Sequence, residues 1–162
     1  MQILLVVQFV FLLVVANGAP VIAKTMLGKF LAHPIDGGRK IFDGQPLFGA
    51  SKTIRGVASP LLITTVAAPF VGISAGTGAL VGVTAMIGDL ASSFLKRRVG
   101  MTPSTMAIGL DQIPESLFPA IASRPIIGLT LPDVNLITLL FTVCELTLSR
   151  VLFRFGLRDR PY

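Results

Sequence analysis

The chain lacks most of the residue types that soluble enzymes use for catalysis. It has one cysteine, one histidine and no tryptophan among 162 residues, and charged residues make up only 14% of it. A single cysteine, Cys144, excludes an intramolecular disulfide and a metal site built from cysteines. The lone histidine, His33, has no partner at a recognisable spacing, so we treat it as incidental rather than catalytic.

What the chain has instead is a large apolar fraction. Hydrophobic residues make up 52% of it and its mean hydropathy is +0.80, whereas soluble domains carry about 25% charged residues. A soluble chain of this length cannot hide so much apolar surface, which predicts an integral membrane protein. The net charge of +6 could indicate nucleic acid, but one tyrosine and no tryptophan leave few platforms for bases. The basic balance therefore indicates loops beside membrane spans, and no nucleic-acid partner.

Five apolar stretches approach the length of about 20 residues that a spanning helix needs. They cover roughly residues 3–22, 57–73, 77–95, 113–131 and 132–151. Prolines interrupt the second and fourth stretches, which predicts kinked or partly re-entrant segments there. The predicted fold is therefore an all-α integral membrane protein, with five transmembrane helices in a single domain over residues 1–162.

The distribution of charge predicts the orientation in the membrane. The first stretch resembles a signal peptide, but no basic residue precedes Lys24, so a retained span is the interpretation we favour. With the N-terminus outside, every lysine and arginine except Arg124 falls on the inner side. We therefore expect a cytoplasmic C-terminus and two cytoplasmic loops, residues 23–56 and 96–112, that form the site. Apolar faces with Gly and Ala permit a homodimer.

The stretch GDLASSFLKRR places an acid inside the third span and three cations at its end. Asp89 is followed at helical spacing by serines and basic residues, so these side chains share one helix face. They are Ser92 or Ser93, Lys96 and Arg97. An intramembrane carboxylate indicates a functional site by default, and a structural ion pair with one of these cations is the alternative. The cations could equally be ordinary anchors at the cytoplasmic end.

A second acid, Asp111, ends the loop that follows and precedes another apolar run. It could cap the next helix, with Pro114 and Glu115 in the first turn of that helix. The alternative pairs Asp111 with Asp89 around Mg²⁺. This ion usually takes one or two carboxylates and completes its shell with water and substrate phosphates.

The first inner loop contains PIDGGRKIFDGQPLFGASKTIRG and is rich in glycine and cations. Lys52, Thr53 and Arg55 follow a Gly-Ala-Ser turn, and backbone amides, a hydroxyl and two cations make a candidate phosphate cradle. The spacing of a P-loop is absent, so a plain flexible loop is the alternative. Asn17, near the end of the first span, is expected to hydrogen-bond another helix or to seat this loop.

Together these segments resemble the CDP-archaeol synthase family of integral membrane cytidylyltransferases, which is related to the CDP-diacylglycerol synthases. The matching segments are NGAP, PIDGG, FDG, SKTIRG, GDLASSFLKRR and LDQ, which begin at residues 17, 34, 42, 51, 88 and 110. The resemblance covers nearly the whole chain and is most specific in GDLxxSFxKRR followed by LDQ. The terminal RDRPY resembles bacterial members of this group.

The resemblance implies five spanning helices, a cytoplasmic pocket, and transfer of CMP from CTP to a lipid phosphate with Mg²⁺ and release of pyrophosphate. It implies that Asp89 and Asp111 hold the metal and that Lys96 joins them as a catalytic residue. The substrate-binding residues expected are Asn17, Asp36, Asp43, Lys52, Thr53, Arg55, Ser93, Arg97, Arg98 and Gln112. The lipid would be archaeol-phosphate-like or phosphatidic-acid-like, and the location would be the inner membrane of a bacterium.

Two other function classes stay open at this point. One is a small transporter or channel component, in which Asp89 would line the pathway. The other is a non-catalytic lipid-binding membrane protein with the same fold. Substrate flux without CTP would favour the first, and failure of the folded chain to bind CTP would favour the second.

Overall fold

The structure, a computed structural model, describes residues 1–103 and 105–154. Within those ranges the backbone forms five α-helices and no β-strand, so the predicted all-helical class is confirmed. The RDRPY segment lies outside the described residues. The helices are α1 (Ile3–Leu27), α2 (Ile54–Ala67, prolonged by a 3₁₀ turn over Ala68–Val71), α3 (Ala75–Arg98), α4 (Gln112–Ile127) and α5 (Leu131–Arg154).

Each of the five predicted spans corresponds to one of these helices. Four of the described helices are long and apolar enough to cross a membrane, namely all except α4. Helix α4 has 16 residues, which gives a length of about 24 Å against a hydrocarbon core of about 30 Å. A count of five full spans therefore stays a prediction. Helix α3 continues to Arg98, beyond the predicted limit at residue 95, so its three terminal cations are helical.

Helix α2 passes through Pro60 without breaking. A proline has no backbone N–H to donate, which would leave the carbonyl of Gly56 without its helical partner. The hydroxyl of Ser59 donates to that oxygen at 3.4 Å. Serine side chains can satisfy freed carbonyls in this way, and this is one reason why spanning helices tolerate proline.

Helix α3 lies between α2 and α4, and glycines set how closely these helices approach. A Cβ atom added at Gly78 or Gly82 would clash with the backbone or side chains of α2, and one at Gly88 would clash with the backbone of Pro114. Small residues at helix contacts allow this close approach, because packing rather than hydrophobic burial holds helices together in lipid. The contact at Gly88 brings Asp89 next to the first turn of α4.

The helices alternate in direction, so the loops fall at two ends of the bundle. The site end carries residues 28–53, residues 99–103 and 105–111, and the end of α5. The opposite end carries the N-terminus and the turns at residues 72–74 and 128–130. Between the ends, apolar side chains of α1, α3 and α5 form the core. Its fully buried members include Phe9, Leu12, Val81, Ile137 and Phe141.

Candidate functional site

A cavity of about 170 Å³ opens among α1, the first loop, α2, α3 and α4 near the site end. Unlike the core, it has charged and polar side chains in its wall, and we call it the polar cavity. Its polar lining residues are Asn17, Ser51, Lys52, Thr53, Asp89 and Glu115. Four of them, Asn17, Lys52, Thr53 and Asp89, are residues that the sequence predicted for the site.

Lys52 and Asp89 form an ion pair in the polar cavity. The Nζ atom of Lys52 lies 2.6 Å and 2.5 Å from the two carboxylate oxygens of Asp89. The loop holds Lys52 there, since its carbonyl accepts from Ile35 N at 2.9 Å and Thr53 caps α2 through Gly56 N. Asp89 thus takes its cation from the first loop, and the alternative of a structural pair with a cation of α3 is wrong.

Glu115 is a second carboxylate in the wall of the polar cavity. It is 6% exposed, and Asn17 Nδ2 donates to its two oxygens at 3.0 Å and 3.2 Å. The expectation that Asn17 hydrogen-bonds another helix is therefore confirmed. Asp89 repels the charge of Glu115 and Lys52 attracts it, so the three side chains are electrostatically linked.

Sequence reasoning missed Glu115 as a site residue, and it missed the buried Glu145 on α5. Gln112 Nε2 donates to Glu145 at 2.5 Å, while its Oε1 accepts from Gly109 N at 2.8 Å. The signal was available: the rule that identified Asp89, that an acid within an apolar run is functional by default, applies equally to these two. Glu115 was overlooked because it fits the acidic first turn of a helix.

Asp111 pairs with Lys96 outside the lining of the polar cavity. Its Oδ1 lies 2.6 Å from Lys96 Nζ, and its Oδ2 accepts from Ala107 N at 2.9 Å. Lys96 Nζ also donates to the carbonyl of Thr105 at 3.0 Å. The alternative that Asp111 caps α4 is wrong, because its side chain bonds the preceding loop and no amide of the helix.

Arg97 is the most deeply buried cation predicted for the site, with 3% of its surface exposed. Its Nη2 donates to the carbonyl of Thr102 at 2.9 Å, but its Nε and Nη1 have no hydrogen-bond partner among the residues that the structure describes. The guanidinium lies beside Gly49 of the first loop and Pro103 of the second. Two donors of one buried guanidinium are thus available for an anion at the meeting point of the two loops.

Arg98 joins the first loop to the end of α3. Its Nη1 donates to both oxygens of Asp43 at 2.7 Å, its Nη2 donates to the carbonyl of Pro46 at 2.5 Å, and the guanidinium lies 5.0 Å from the ring centre of Phe94. Asp43 and Arg98, both predicted as substrate-binding residues, therefore hold each other across the two segments.

Asp36 organises the first loop from within. Burial opposes its ionisation, but hydrogen bonds from the amides of Phe48, Gly49 and Gly38 outweigh burial and place the pKa of Asp36 below its ordinary value. The amides of Phe48 and Gly49 each donate at 3.0 Å, and that of Gly38 at 2.9 Å. Its carboxylate is thus engaged in shaping the turn that carries Gly49 towards Arg97.

The remaining predicted residues fall into two groups. Arg55 lies outside the lining of the polar cavity, where its Nη1 donates to the carbonyls of Gly28 and Phe30 at the end of α1. Ser93 and Gln112 are buried between helices. In this structure Arg55 anchors the first loop, whereas Ser93 and Gln112 pack around the site.

Candidate ligands for Mg²⁺ come from the carboxylates at this end. Among the described residues no three His, Cys, Asp or Glu side chains form a metal-binding group. Mg²⁺ does not need three, because it accepts one or two carboxylates with water and substrate phosphates. Asp89 fits this chemistry, since its carboxylate lines a cavity large enough for water and phosphate oxygens. Asp111 lies outside the lining of this cavity, and its two oxygens face Lys96 and the amide of Ala107.

Comparison with known proteins identifies the family of this chain. The family model described as CarS-like CDP-archaeol synthase matches residues 1–162. A CDP-archaeol synthase of Thermofilum pendens is 33% identical over 157 residues, which cover 91% of this chain and 76% of its own. One of Hyperthermus butylicus is 36% identical over 104 residues, 60% of this chain and 59% of its own. This chain thus spans about three-fifths of the length of several such relatives.

A solved structure has the same fold. It is described as "Structural insight into an intramembrane enzyme for archaeal membrane lipids biosynthesis", and it superposes with a TM-score of 0.74 at 24% sequence identity. The superposition covers 88% of this chain and 91% of that one, so the five-helix arrangement is shared nearly throughout. With apolar helices of spanning length, the chain is an integral membrane protein. It belongs to the CDP-archaeol synthase family, as its sequence motifs predicted.

Proposed function

We propose that this protein transfers CMP from CTP to a lipid phosphate, which yields a CDP-lipid and pyrophosphate. Family membership supports a CTP-dependent nucleotidyltransferase. The single observation that carries the proposal within the structure is Arg97, a buried guanidinium at the junction of both loops with two donors that bond to none of the described residues. The lipid is archaeol-phosphate-like or phosphatidic-acid-like, and both share a phosphate monoester on a diacyl or dialkyl glycerol.

A buried cation with unpartnered donors indicates an anionic ligand. Leaving a buried donor without a partner costs about 1–3 kcal/mol, and more when the group is charged. Arginine matches phosphate oxygens with paired donors, and such charge-assisted bonds are about twice as strong as neutral ones. We place the β- and γ-phosphates of CTP against Arg97, with Lys96 and Arg98 as neighbouring cations.

The chemistry needs no general base. The second pKa of a phosphate monoester is about 6, so the lipid phosphate is already ionised at neutral pH. One of its oxygens attacks the α-phosphorus of CTP and forms a new P–O bond, while the bond from the α-phosphorus to the bridging oxygen breaks and pyrophosphate leaves. The rate then depends on positioning and electrostatic stabilisation, as in phosphoryl transfer generally.

The residues of the polar cavity have different proposed roles in this reaction. Lys52 presents a cation to the lipid phosphate, and its loop fixes it at the mouth of the polar cavity. Asn17 and Glu115 orient each other beside Lys52. Asp89 and Asp111 are the residues that we propose to hold Mg²⁺, and the ion, when bound, supplies positive charge that offsets charge developing on the triphosphate.

We propose that the site end faces the cytoplasm, where CTP is available. In the described residues every lysine and arginine except Arg124 belongs to this end. Cytoplasmic loops collect lysine and arginine beside membrane spans. A protease added to right-side-out vesicles should therefore spare the first loop, and one added to inverted vesicles should cleave it.

The direct test is an assay of the purified chain in lipid nanodiscs with CTP and Mg²⁺. We expect pyrophosphate release that depends on a lipid phosphate, with a CDP-lipid identified by mass spectrometry. Separate arms supply an ether-linked dialkyl glycerol phosphate and an ester-linked phosphatidic acid, so that the preferred lipid is decided by the same measurement. A folded chain that releases no pyrophosphate in any arm would refute the proposal.

A matched pair of variants tests Arg97 itself. Arg97→Gln removes the buried cation, whereas Arg39→Gln removes an exposed cation of the first loop. We expect Arg97→Gln to lower kcat/KM for CTP about 100-fold, the cost of removing one donor that stabilises developing charge. Arg39→Gln should leave it nearly unchanged. Equal effects of the two changes would show that only the general charge of the loops matters.

A further inference from the structure

Residues 39–47 of the first loop form a short hairpin, which we call the basic hairpin. Its backbone pairs Lys40 with Pro46 in an antiparallel bridge. A tight turn closes it, in which the amide of Gly44 donates to the carbonyl of Ile41 at 2.8 Å. Gly44 has a φ of +74°, a conformation that favours glycine. The hairpin therefore has a defined shape and a defined tip.

Phe42, at this tip, contacts almost nothing in the described part of the chain. It is 98% exposed, more than any other large hydrophobic residue that the structure describes. Arg39 and Lys40 precede it, and both are exposed and form no ion pair with a described residue. The charge of the neighbouring Asp43 is compensated by Arg98. The hairpin thus presents net positive charge next to an uncovered aromatic ring.

The ion pair with Arg98 fixes the level of this tip relative to the membrane. Arg98 is the last residue of α3, and its guanidinium lies 5.0 Å from the ring centre of Phe94, one turn earlier. Helix α3 has 24 residues, so it is about 36 Å long and extends past a hydrocarbon core of about 30 Å. Asp43 therefore holds the tip beside the end of a spanning helix, at the level of the lipid headgroups.

We infer that the tip of the basic hairpin lies in the headgroup layer of the bilayer. The ring of Phe42 occupies the boundary between headgroups and hydrocarbon chains, and Arg39 and Lys40 contact anionic headgroups. Basic residues combined with exposed aromatic side chains are typical of segments that lie on a membrane surface. The positive charge and the level of the tip favour lipid over a protein partner. This inference does not depend on the proposed function.

The contact anchors the outer side of a loop whose inner side forms the site. After the hairpin the chain continues to Gly49, which lies beside Arg97, and to Lys52, which pairs with Asp89. The bilayer surface and the end of α3 therefore hold the first loop from two sides. Anionic lipid should strengthen the membrane side of this attachment, because each basic residue near such a surface contributes to binding.

A single fluorophore tests the position of the tip. The chain has no tryptophan, and Phe42→Trp introduces one at a fully exposed position. In nanodiscs of phosphatidylcholine and phosphatidylglycerol, a nitroxide on the lipid headgroup should quench this fluorophore strongly, and bromine near the bilayer centre should quench it weakly. Val143→Trp is the matched control, since Val143 is 55% exposed at the middle of α5. It should show the opposite order.

Two results of this experiment would contradict the inference. One is a Phe42→Trp fluorophore that acrylamide in the water quenches fully and the headgroup nitroxide does not. The other is a blue-shifted fluorophore that neither acrylamide nor the lipid quenchers reach, which would place a protein partner or a second copy at the tip. Strong quenching by the headgroup nitroxide supports the inference in either orientation of the chain in the membrane.

The dependence on charge tests the two cations. Each basic residue close to an anionic surface contributes about fivefold to binding, so two contribute about 25-fold. Changing Arg39→Gln and Lys40→Gln together should lower the ratio of membrane-bound to free tip by about this factor, which acrylamide quenching of the Phe42→Trp fluorophore measures. Phosphatidylcholine alone, or high salt, should act in the same direction. Accessibility of the tip that ignores all three changes would overturn the role of the cations.

Proteolysis of the unaltered protein gives a readout without any substitution. Trypsin cleaves after Arg39 and Lys40, and it should do so more slowly in nanodiscs that contain phosphatidylglycerol than in phosphatidylcholine alone. A soluble peptide substrate in the same samples corrects for effects of the lipid on trypsin itself. Equal corrected rates would overturn the inference. No measurement here uses CTP, so failure of the hairpin contact and failure of the proposed function are distinguishable.

Discussion

The two ends of the helical bundle both carry buried acids, but they satisfy them differently. At the opposite end Asp133 is fully buried, and its oxygens accept from the amides of Gln2 and Thr130 at 3.0 Å and from the Thr130 hydroxyl at 2.6 Å. At the site end Asp89 relies on a lysine from a distant loop. Neutral donors next to the start of α5 satisfy the first acid, whereas the second acid depends on a charged side chain from a segment 37 residues earlier in the chain.

The cations of the two ends differ in the same way. Arg124, in the last turn of α4 at the opposite end, donates to the carbonyl of Leu129 in the turn that follows this helix, and the C-terminal turn is the usual place for a basic residue in a helix. Arg97 has two donors without a partner in the described part of the chain, although it is the more buried of the two arginines. A charged group whose hydrogen bonds are made within its own segment stabilises the fold. A buried charged group that lies between segments and keeps unsatisfied donors indicates a binding site.

The largest expected effect comes from neutralising the acid at each end in turn. Asp89→Asn should abolish pyrophosphate release, with a loss on the order of 1,000-fold, because both the lysine partner and the proposed metal ligand are affected. Asp133→Asn should keep activity and lower the thermal unfolding temperature, because only the start of α5 loses a charge-assisted partner. An active Asp89→Asn variant, assayed with its fold checked by circular dichroism, would remove the contrast between the ends.

A smaller effect is expected at the two acids that the sequence did not single out. Glu115→Gln should lower kcat about tenfold, because it removes a charge that is linked to Lys52 and Asp89 in the polar cavity. Glu145→Gln is the matched comparison, since Glu145 contacts Gln112 and Ser149 outside the cavity lining and repels the charge of Glu115 more weakly than Asp89 does. Steady-state kinetics at saturating CTP and lipid would give kcat for both variants. A larger loss of kcat in Glu145→Gln than in Glu115→Gln would show that Glu145, and not Glu115, has this role.

The link between the two segments of the site end should have a modest effect. Asp43→Asn weakens the pair with Arg98 that ties the first loop to the end of α3. Partly exposed ion pairs contribute about 0.2–1 kcal/mol, so KM for CTP should rise no more than about fivefold while kcat is kept. The measurement is initial rate against CTP concentration. A fall in kcat without a change in KM would place Asp43 in the chemical step instead.

The smallest effect concerns the shape of the first loop. The pKa of Asp36 lies below its ordinary value of 3.8, so its contribution to loop stability is present above pH 3.8 and is lost as pH falls through the lower pKa of the folded state. Asp36→Asn should therefore speed amide exchange at Phe48 and Gly49 near neutral pH. The unaltered protein should lose this protection only in acid. Protection lost between pH 5 and 7 would contradict this sign.

Sequence patterns were sufficient for the broad architecture and for four of the six polar residues that line the polar cavity. Five apolar stretches predicted five helices, because a segment in lipid must satisfy its backbone hydrogen bonds within itself, whatever its neighbours are. The acid in GDLASSFLKRR was recognisable because a charge inside a span is costly. Lys52 and Asn17 were recognisable only by their motifs and by the charge of their segments, yet both line the polar cavity.

The partner of each acidic side chain was not predictable in the same way. The sequence placed Asp89 on the face of the α3 cations, but its partner is Lys52, 37 residues earlier. It allowed Asp111 to cap α4, but that carboxylate faces Lys96 and the amide of Ala107. It gave Glu115 the role of a first-turn acid, although the side chain lies buried in the cavity wall. The ion pairs of Asp89 and Asp111 and the hydrogen bond from Asn17 to Glu115 each join segments that are separate along the chain.

The sequence alone determined that the chain is helical, that it lies in a membrane, and that its charges gather at one end. These properties depend on composition and local spacing, because a lipid environment penalises unsatisfied backbone and isolated charge wherever they occur. The tertiary structure decided which acid meets which cation and where a cavity remains between them. That choice depends on how closely helices approach at positions such as Gly88 and Pro114, and such distances are set by packing that no single segment specifies.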